Sequence, residues 1–158
     1  MNVNIRRARK SESEELTLLA RRAKASWGYP EAWLREWEPQ LKLSSDYIDS
    51  YSVFVARNGN TLVGIIALED SGEPEISHLW VAPESQGLGV GRQLVKQALE
   101  VAKSRGWLSL RIVSDPNAQR FYESLGAAQV GEVAAPVGGT DRVLLVLRLS
   151  LQRDSHCG

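Results

Sequence analysis

The sequence predicts one mixed α/β domain over residues 1–150, a mostly antiparallel central sheet flanked by helices in the order βααβββαβαββ. Three observations predict it. Runs rich in valine, isoleucine and leucine alternate along the chain with segments whose apolar residues recur at helical spacing. The turn signals Asn58-Gly59-Asn60 and Asp70-Ser71-Gly72-Glu73-Pro74 join three consecutive strand-like runs, and such short connections pair strands antiparallel. The last of those runs passes through a glycine-rich turn into an amphipathic helix and on to another apolar run, the pattern of a right-handed parallel crossover.

Taken in order, Val3 to Ala8 forms a short first strand. Ser11 caps a helix reaching Lys24, because Leu16, Leu19, Ala20 and Ala23 recur at helical spacing behind Glu12, Glu14 and Glu15, which suit the positive end of its dipole. The turn Trp27-Gly28-Tyr29-Pro30 leads into a second helix with Pro30 in its first turn. Leu34 and Trp37 share a face there, and Pro39 ends or kinks the helix. Ser52 to Arg57 and Thr61 to Glu69 make a hairpin, and Glu75 to Val81 follows as the next strand. From Gly89 to Ser104 a helix buries Val90, Leu94, Ala98, Val101 and Ala102. Leu108 to Val113 is the strand after it, a short helix starts at Asn117 and stops at Gly126, and Ala128 to Val133 and Val143 to Leu149 close the sheet.

A chain of 158 residues is the usual size of one domain and buries one ordinary core. Nineteen basic and nineteen acidic residues cancel, which removes the long-range field expected of a nucleic-acid binder or a polybasic membrane-surface protein. No apolar stretch approaches the roughly twenty residues that span a bilayer. Met1-Asn2-Val3-Asn4-Ile5-Arg6-Arg7 lacks the apolar run of a signal peptide, so a cytoplasmic location is expected. A single cysteine, Cys157, fits a reducing compartment and lies in a polar tail, residues 151–158, read as disordered. Two distant histidines and that cysteine give no ligand spacing, so no metal is expected.

The most informative stretch runs from His78 to Arg92. Gly87, Gly89 and Gly91 let the backbone take positive φ and turn several N–H groups toward one anion, and the helix that follows adds its unpaired first-turn amides. The turn reads as a pyrophosphate cradle. A dinucleotide fingerprint would need glycine where Arg92 sits, and a P-loop would need Gly-Lys-Ser/Thr. The bland alternative is a strand-to-helix turn that merely contains glycines. Further on, Ser114-Asp115-Pro116-Asn117 leads into a helix with two polar tips, the Asn117 amide and the Tyr122 phenol.

Together the two segments resemble the GNAT superfamily of acetyl-CoA-dependent N-acetyltransferases. The first carries that family's Gln/Arg-x-x-Gly-x-Gly/Ala turn as Gln86, Gly89 and Gly91; the second carries its Asn-x-x-x-Phe-Tyr-x-x-x-Gly signature as Asn117, Phe121, Tyr122 and Gly126. The resemblance runs from Ser52 to Leu149 and before that extends only to general layout.

It implies acetyl-CoA as cosubstrate, with pantetheine along the backbone of Leu79, Trp80 and Val81 and pyrophosphate held by Gln86, Gly87, Leu88, Gly89, Val90, Gly91 and Arg92. Asn117 and Tyr122 are expected at the same cofactor. A backbone N–H of the strand would face the thioester oxygen as an oxyanion hole. Tyr122 is expected as general acid to the departing thiolate, against the alternative of a packing tyrosine beside Phe121. An ammonium of pKa about 10.4 must lose its proton before attack, and Glu75, in a Glu-x-x-x-Leu-x-Val frame with Leu79 and Val81, is the candidate base. His78 is its rival. Strict alternation puts Glu75, Ser77, Leu79 and Val81 opposite Ile76, His78 and Trp80, so only one of the two faces the substrate. Trp27 and Tyr29, with Glu75, are expected at the acceptor, where aromatic walls hold an amine or its charged head; Trp33 and Trp37 lie at the spacing of a packing stripe.

The expected reaction is direct acetyl transfer in a ternary complex to a primary amine of a small molecule or a protein, with no nucleic-acid or membrane partner and a homodimer allowed. The alternatives are a non-catalytic CoA-binding module or sensor, and a scaffold whose glycine turn is structural.

Overall fold

The computed structural model describes residues 2–151. Strands β1 (Asn4–Arg7), β2 (Ser52–Asn58), β3 (Thr61–Glu69), β4 (Glu75–Val81), β5 (Ser109–Ser114), β6 (Ala128–Ala134) and β7 (Val143–Ser150) form one sheet in the order β1-β2-β3-β4-β5-β7-β6. Every neighbouring pair is antiparallel except β4 and β5. Helices α1 (Ser13–Ala25), α2 (Glu31–Leu41) and α3 (Ser45–Ser50) cover one face, and α4 (Val90–Ser104) and α5 (Gln119–Ser124) cover the other. None is long and apolar enough to cross a membrane.

The hairpin strands β2 and β3 are buried on both faces, so they read as continuous apolar runs while still alternating between two cores. Val53, Val55, Ile65 and Ala67 meet Leu16 and Leu19 of α1, Trp37 of α2 and Ile48 of α3. Phe54, Ala56, Val63 and Ile66 meet Val90, Leu94 and Ala98 of α4. Gly64 permits the close seat of α4, since a Cβ there would lie 2.8 Å from Leu94 Cδ1 and 2.9 Å from Val90 Cγ1. That contact sets the start of α4 beside the end of β4.

The βααβββαβαββ order holds with one addition. Helix α3 lies outside the expected set; Ser44 caps it by accepting the Tyr47 N–H at 3.0 Å, and at six residues it is too short to show a helical period. Pro39 does not end α2, which runs on to Leu41. So close to the end, the missing N–H removes one hydrogen bond from a turn that is already poorly supplied. The tail expected at 151–158 lies, apart from Leu151, outside the described residues, and Leu151 itself donates to the Leu108 carbonyl at 2.9 Å.

Two irregularities in β4 shape the site. Ala67 faces His78 while Leu68 faces Ile76, so Ser77 is an extra, bulged residue. Beside it, β4 and β5 register only at Glu75 and Arg111, with the Arg111 N–H donating to the Pro74 carbonyl at 2.9 Å. Beyond that point the two strands are no longer hydrogen-bonded to each other. A wedge opens in the sheet.

Candidate active site

A cleft of about 450 Å³ fills the wedge on the α4 side. Its upper wall is the turn between β4 and α4. Gly87 and Gly89 hold φ of 78° and 86°, a left-handed conformation that side chains resist, and a Cβ on either would project into open space. Gly91 does a different job. A Cβ there would stand 3.2 Å from Phe121, so its absence lets α4 and α5 close together. Leu79, Val81, Gln86, Gly87, Gly89, Val90, Gly91, Arg92, Asn117 and Tyr122, all expected at the cofactor, line this cleft, joined by Trp27. Leu88 does not line it and is 58% exposed, while Trp80 faces the second cavity described below.

That second cavity, of about 240 Å³, lies toward α1 and α2. Lys24, Trp37, Gln40, His78, Trp80 and Asp115 contribute to its walls. Four residues, Trp27, Leu79, Ala118 and Tyr122, line both spaces. Tyr122 is therefore in the partition between them. It is 6% exposed, its hydroxyl has no hydrogen-bond partner among the described residues, and burial pushes its pKa up, so the phenol keeps its proton.

The bulge at Ser77 overturns the alternation expected for β4. Ile76 packs with Leu79 and Val81 against α4, and the parity change puts Glu75 on the side of His78 rather than opposite it. Glu75 nevertheless lines neither cavity; the Arg111 guanidinium donates to its carboxylate at 3.1 Å. His78 does line the second cavity, but its ring is committed. Its Nδ1 accepts from the Trp80 indole at 2.9 Å, which leaves the ring proton on Nε2, and burial pushes its pKa down to about 4. It is a neutral donor there, without a lone pair to spare.

A polar knot that sequence reasoning missed closes the far end of the second cavity. Asp115 Oδ1 accepts from the Asn117 amide N–H at 2.8 Å and Asn117 Nδ2 at 2.9 Å, while Oδ2 accepts from Lys24 at 3.0 Å and Arg142 at 3.2 Å. The Tyr29 hydroxyl donates to the same carboxylate at 2.9 Å and accepts from Arg142 at 2.8 Å. Tyr29, expected in the acceptor wall, thus lines neither cavity and instead holds the knot together. Its ring meets Trp37 edge-on at 4.9 Å and stacks on Trp33 at 5.9 Å. Burial works to raise the Asp115 pKa, but the Asn117 N–H and the Lys24 charge outweigh it and hold it low. Burial pulls Lys24 below the ordinary lysine value, opposed by Asp115. Asp115 had a signal, the Asx turn of Asp-Pro-Asn. Lys24 and Arg142 had none, because each reaches Asp115 from a remote part of the chain. Among the described residues no group of His, Cys, Asp or Glu is arranged to hold a metal.

Residues 9–137 match the family model described as an acetyltransferase (GNAT) domain. The chain is 35% identical over 82 residues to the N-alpha-acetyltransferase RimI of Mycobacterium tuberculosis, which is 48% of this chain and 51% of that one. It spans about half the length of the curated relatives it matches. Its fold resembles a GCN5-related N-acetyltransferase of Rhodopseudomonas palustris, with a TM-score of 0.81 at 18% identity over 96% of this chain and 97% of that one. A similar likeness holds to the PaiA N-acetyltransferase of Thermoplasma acidophilum, solved in complex with coenzyme A, with a TM-score of 0.72 at 20% identity over 95% of this chain and 99% of the other. With most of its length inside the family model, the glycine turn and the Asn117 to Gly126 signature in place, the chain belongs to the GNAT acetyltransferase domain family.

Proposed function

We propose that this protein transfers the acetyl group of acetyl-CoA to a primary amine by direct attack while both substrates are bound. The observation that carries the reading is the shared wall: Trp27, Leu79, Ala118 and Tyr122 border both the cleft below the glycine turn and the cavity behind it. A thioester and an amine brought to the two sides of that wall would meet at Tyr122. The residues present suit CoA. Gly87 and Gly89 form a cradle that a Cβ would enter, the first turn of α4 offers unpaired amides, and Arg92 adds a cation.

When bound, acetyl-CoA supplies the activated acyl group. The protein's share is positioning and charge stabilisation. The amides of the glycine turn and α4 bind the pyrophosphate, and the backbone of Leu79 to Val81 aligns the pantetheine arm and polarises the carbonyl. Tyr122 donates its hydroxyl hydrogen to the departing thiolate. Because burial raises the phenol above the thiol's reference value of about 8.5, that donation works as a hydrogen bond that stabilises the charge developing on sulfur, and the phenol keeps its proton as the thiolate leaves. The amine proton leaves to solvent through the mouth of the second cavity. Glu75 is held outside by Arg111, His78 has no lone pair to offer, and Asp115 is saturated with donors.

Tyr122 is the one hydroxyl among the shared-wall side chains, and burial keeps it protonated, which makes it a poor nucleophile for an acyl-enzyme. Initial rates with both substrates varied should give intersecting double-reciprocal lines. Parallel lines, the mark of a covalent relay, would overturn the ternary mechanism.

A further inference from the structure

We infer that the acceptor is a free α-amino acid, an amine that carries its own carboxylate, with Lys24 as the group that binds that carboxylate. The inference rests on the acetyl-transfer reading above and names the substrate class for the same site.

It starts from charge. Among the described residues, Lys24 and Asp115 alone bring formal charge to the wall of the second cavity. Asp115 has nothing left to offer, since its two oxygens already take hydrogen bonds from Lys24, Arg142, Tyr29 and Asn117. Two cations on one carboxylate leave the knot with one uncompensated positive charge. Of the two, Arg142 is turned onto Tyr29 and Asp115, whereas Lys24 borders the cavity.

Hydrogen-bond supply points the same way. An ammonium has three N–H donors, and Lys24 uses one, on Asp115, among the described residues. The rest of its surroundings are aromatic faces, with Trp37 4.2 Å from Nζ and Tyr29, Trp27 and Trp80 at 5.4, 5.8 and 5.9 Å. Rings stabilise the charge but accept its hydrogens poorly. A carboxylate in the cavity would take up the remaining donors in a low-dielectric setting where charge-assisted bonds are strong. A second ammonium at the same place would meet like charge, which disfavours polyamines.

Size agrees. At about 240 Å³ the cavity is smaller than the roughly 300–1,000 Å³ of drug-sized ligand sites and suits a molecule of amino-acid scale. In an α-amino acid the amine sits on the carbon next to the carboxylate, so a carboxylate on Lys24, whose Nζ lies 5.8 Å from the ring of the shared-wall residue Trp27, keeps the amine beside that wall.

The experiment measures acetylation of matched acceptors by the intact protein with acetyl-CoA. Aliphatic, aromatic and basic amino acids are each compared with their carboxamides, and spermidine is included, all at equal concentrations of unprotonated amine. The expected result is kcat/KM at least about tenfold higher for the acids than for their carboxamides, carried mainly by KM. Lys24→Met, which keeps the stem against Trp37, should bring that ratio to within about twofold while the KM for acetyl-CoA stays the same. Lys24→Arg should restore a preference, and it decides the matter if the Met variant fails to fold. Carboxamides or spermidine used as well as the acids, or an acid preference that survives in folded Lys24→Met, would overturn the inference and leave the acetyl-transfer reading intact. Acetyl-CoA binding with no amine acetylated would overturn both.

Discussion

Tyr122 is the residue on which the proposed chemistry turns, since it alone among the shared-wall side chains carries a titratable proton. Its hydroxyl makes no hydrogen bond among the described residues and its ring packs beside Phe121, with centroids 5.4 Å apart. Tyr122→Phe keeps that packing. We expect little change in folding or CoA affinity and a fall in kcat of about a hundredfold or more, the range of a lost hydrogen bond to developing charge, with KM nearly constant. Near-normal kcat would make Tyr122 a packing residue. His78 carries a separate expectation, on stability. Its folded pKa, about 4, is depressed below the ordinary 6.5. The unfolded chain therefore takes up its proton first, so the contribution of neutral His78 is whole above pH 6.5 and is lost as pH falls toward 4, by about 3 kcal/mol. Denaturant titrations across that window should show a steeper acid loss in the wild type than in His78→Gln. Equal slopes would contradict the assignment. Because His78 is neutral well below its ordinary pKa, the rate should also rise with pH without a break near 6.5.

At the scale of elements, the turn from β4 into α4 joins the strand to the helix end proposed to bind the pyrophosphate, and it holds a backbone conformation that side chains resist. Gly89 holds φ of 86°, and a Cβ added there would have no neighbour within 4 Å, so a side chain meets conformational strain rather than a clash with the protein. Gly89→Val should cost about 1–2 kcal/mol in strain and obstruct the phosphate approach. Thermal melts should show the variant folded but without the stabilisation that CoA gives the wild type. An unchanged CoA-dependent shift would remove the turn from the binding site. This element was legible in the sequence because glycine spacing is a local signal, as was β4, with both ends at the expected residues; the helix expected from Asn117 to Gly126 forms over the shorter span Gln119–Ser124. The bulge was not legible. Inserting Ser77 changes no apolar pattern, yet it reverses the facing of Glu75 and Ile76, and strict alternation is what separates Glu75 from His78 in the sequence. The knot was hidden for a related reason. Lys24 sits 91 residues from Asp115, and Arg142 follows a turn with no periodicity of its own. Charged side chains at such positions look like solvated surface until the tertiary fold buries them.

Over the whole molecule, the proposed function follows from where the pairing of β4 with β5 ends. Two cores clamp β2 and β3 from both faces, and β3 pairs with β4, whose own pairing with β5 is confined to Glu75 and Arg111. The cleft and the cavity fill the wedge that follows, one under α4 and α5 and the other under α1 and α2. The chain carries no formal net charge, so the proposed acetyl transfer would rely on these local features rather than on a long-range field. The most direct measurement is incubation of the protein with acetyl-CoA labelled in the acetyl carbon and a panel of primary amines, followed by mass spectrometry of the acceptors and titration of free thiol. Label on the amine nitrogen is expected, with one thiol released for each acetyl transferred and both signals falling together in Tyr122→Phe. Acetyl-CoA that stabilises the protein yet leaves every amine unlabelled would contradict direct transfer and make the molecule a CoA-binding module.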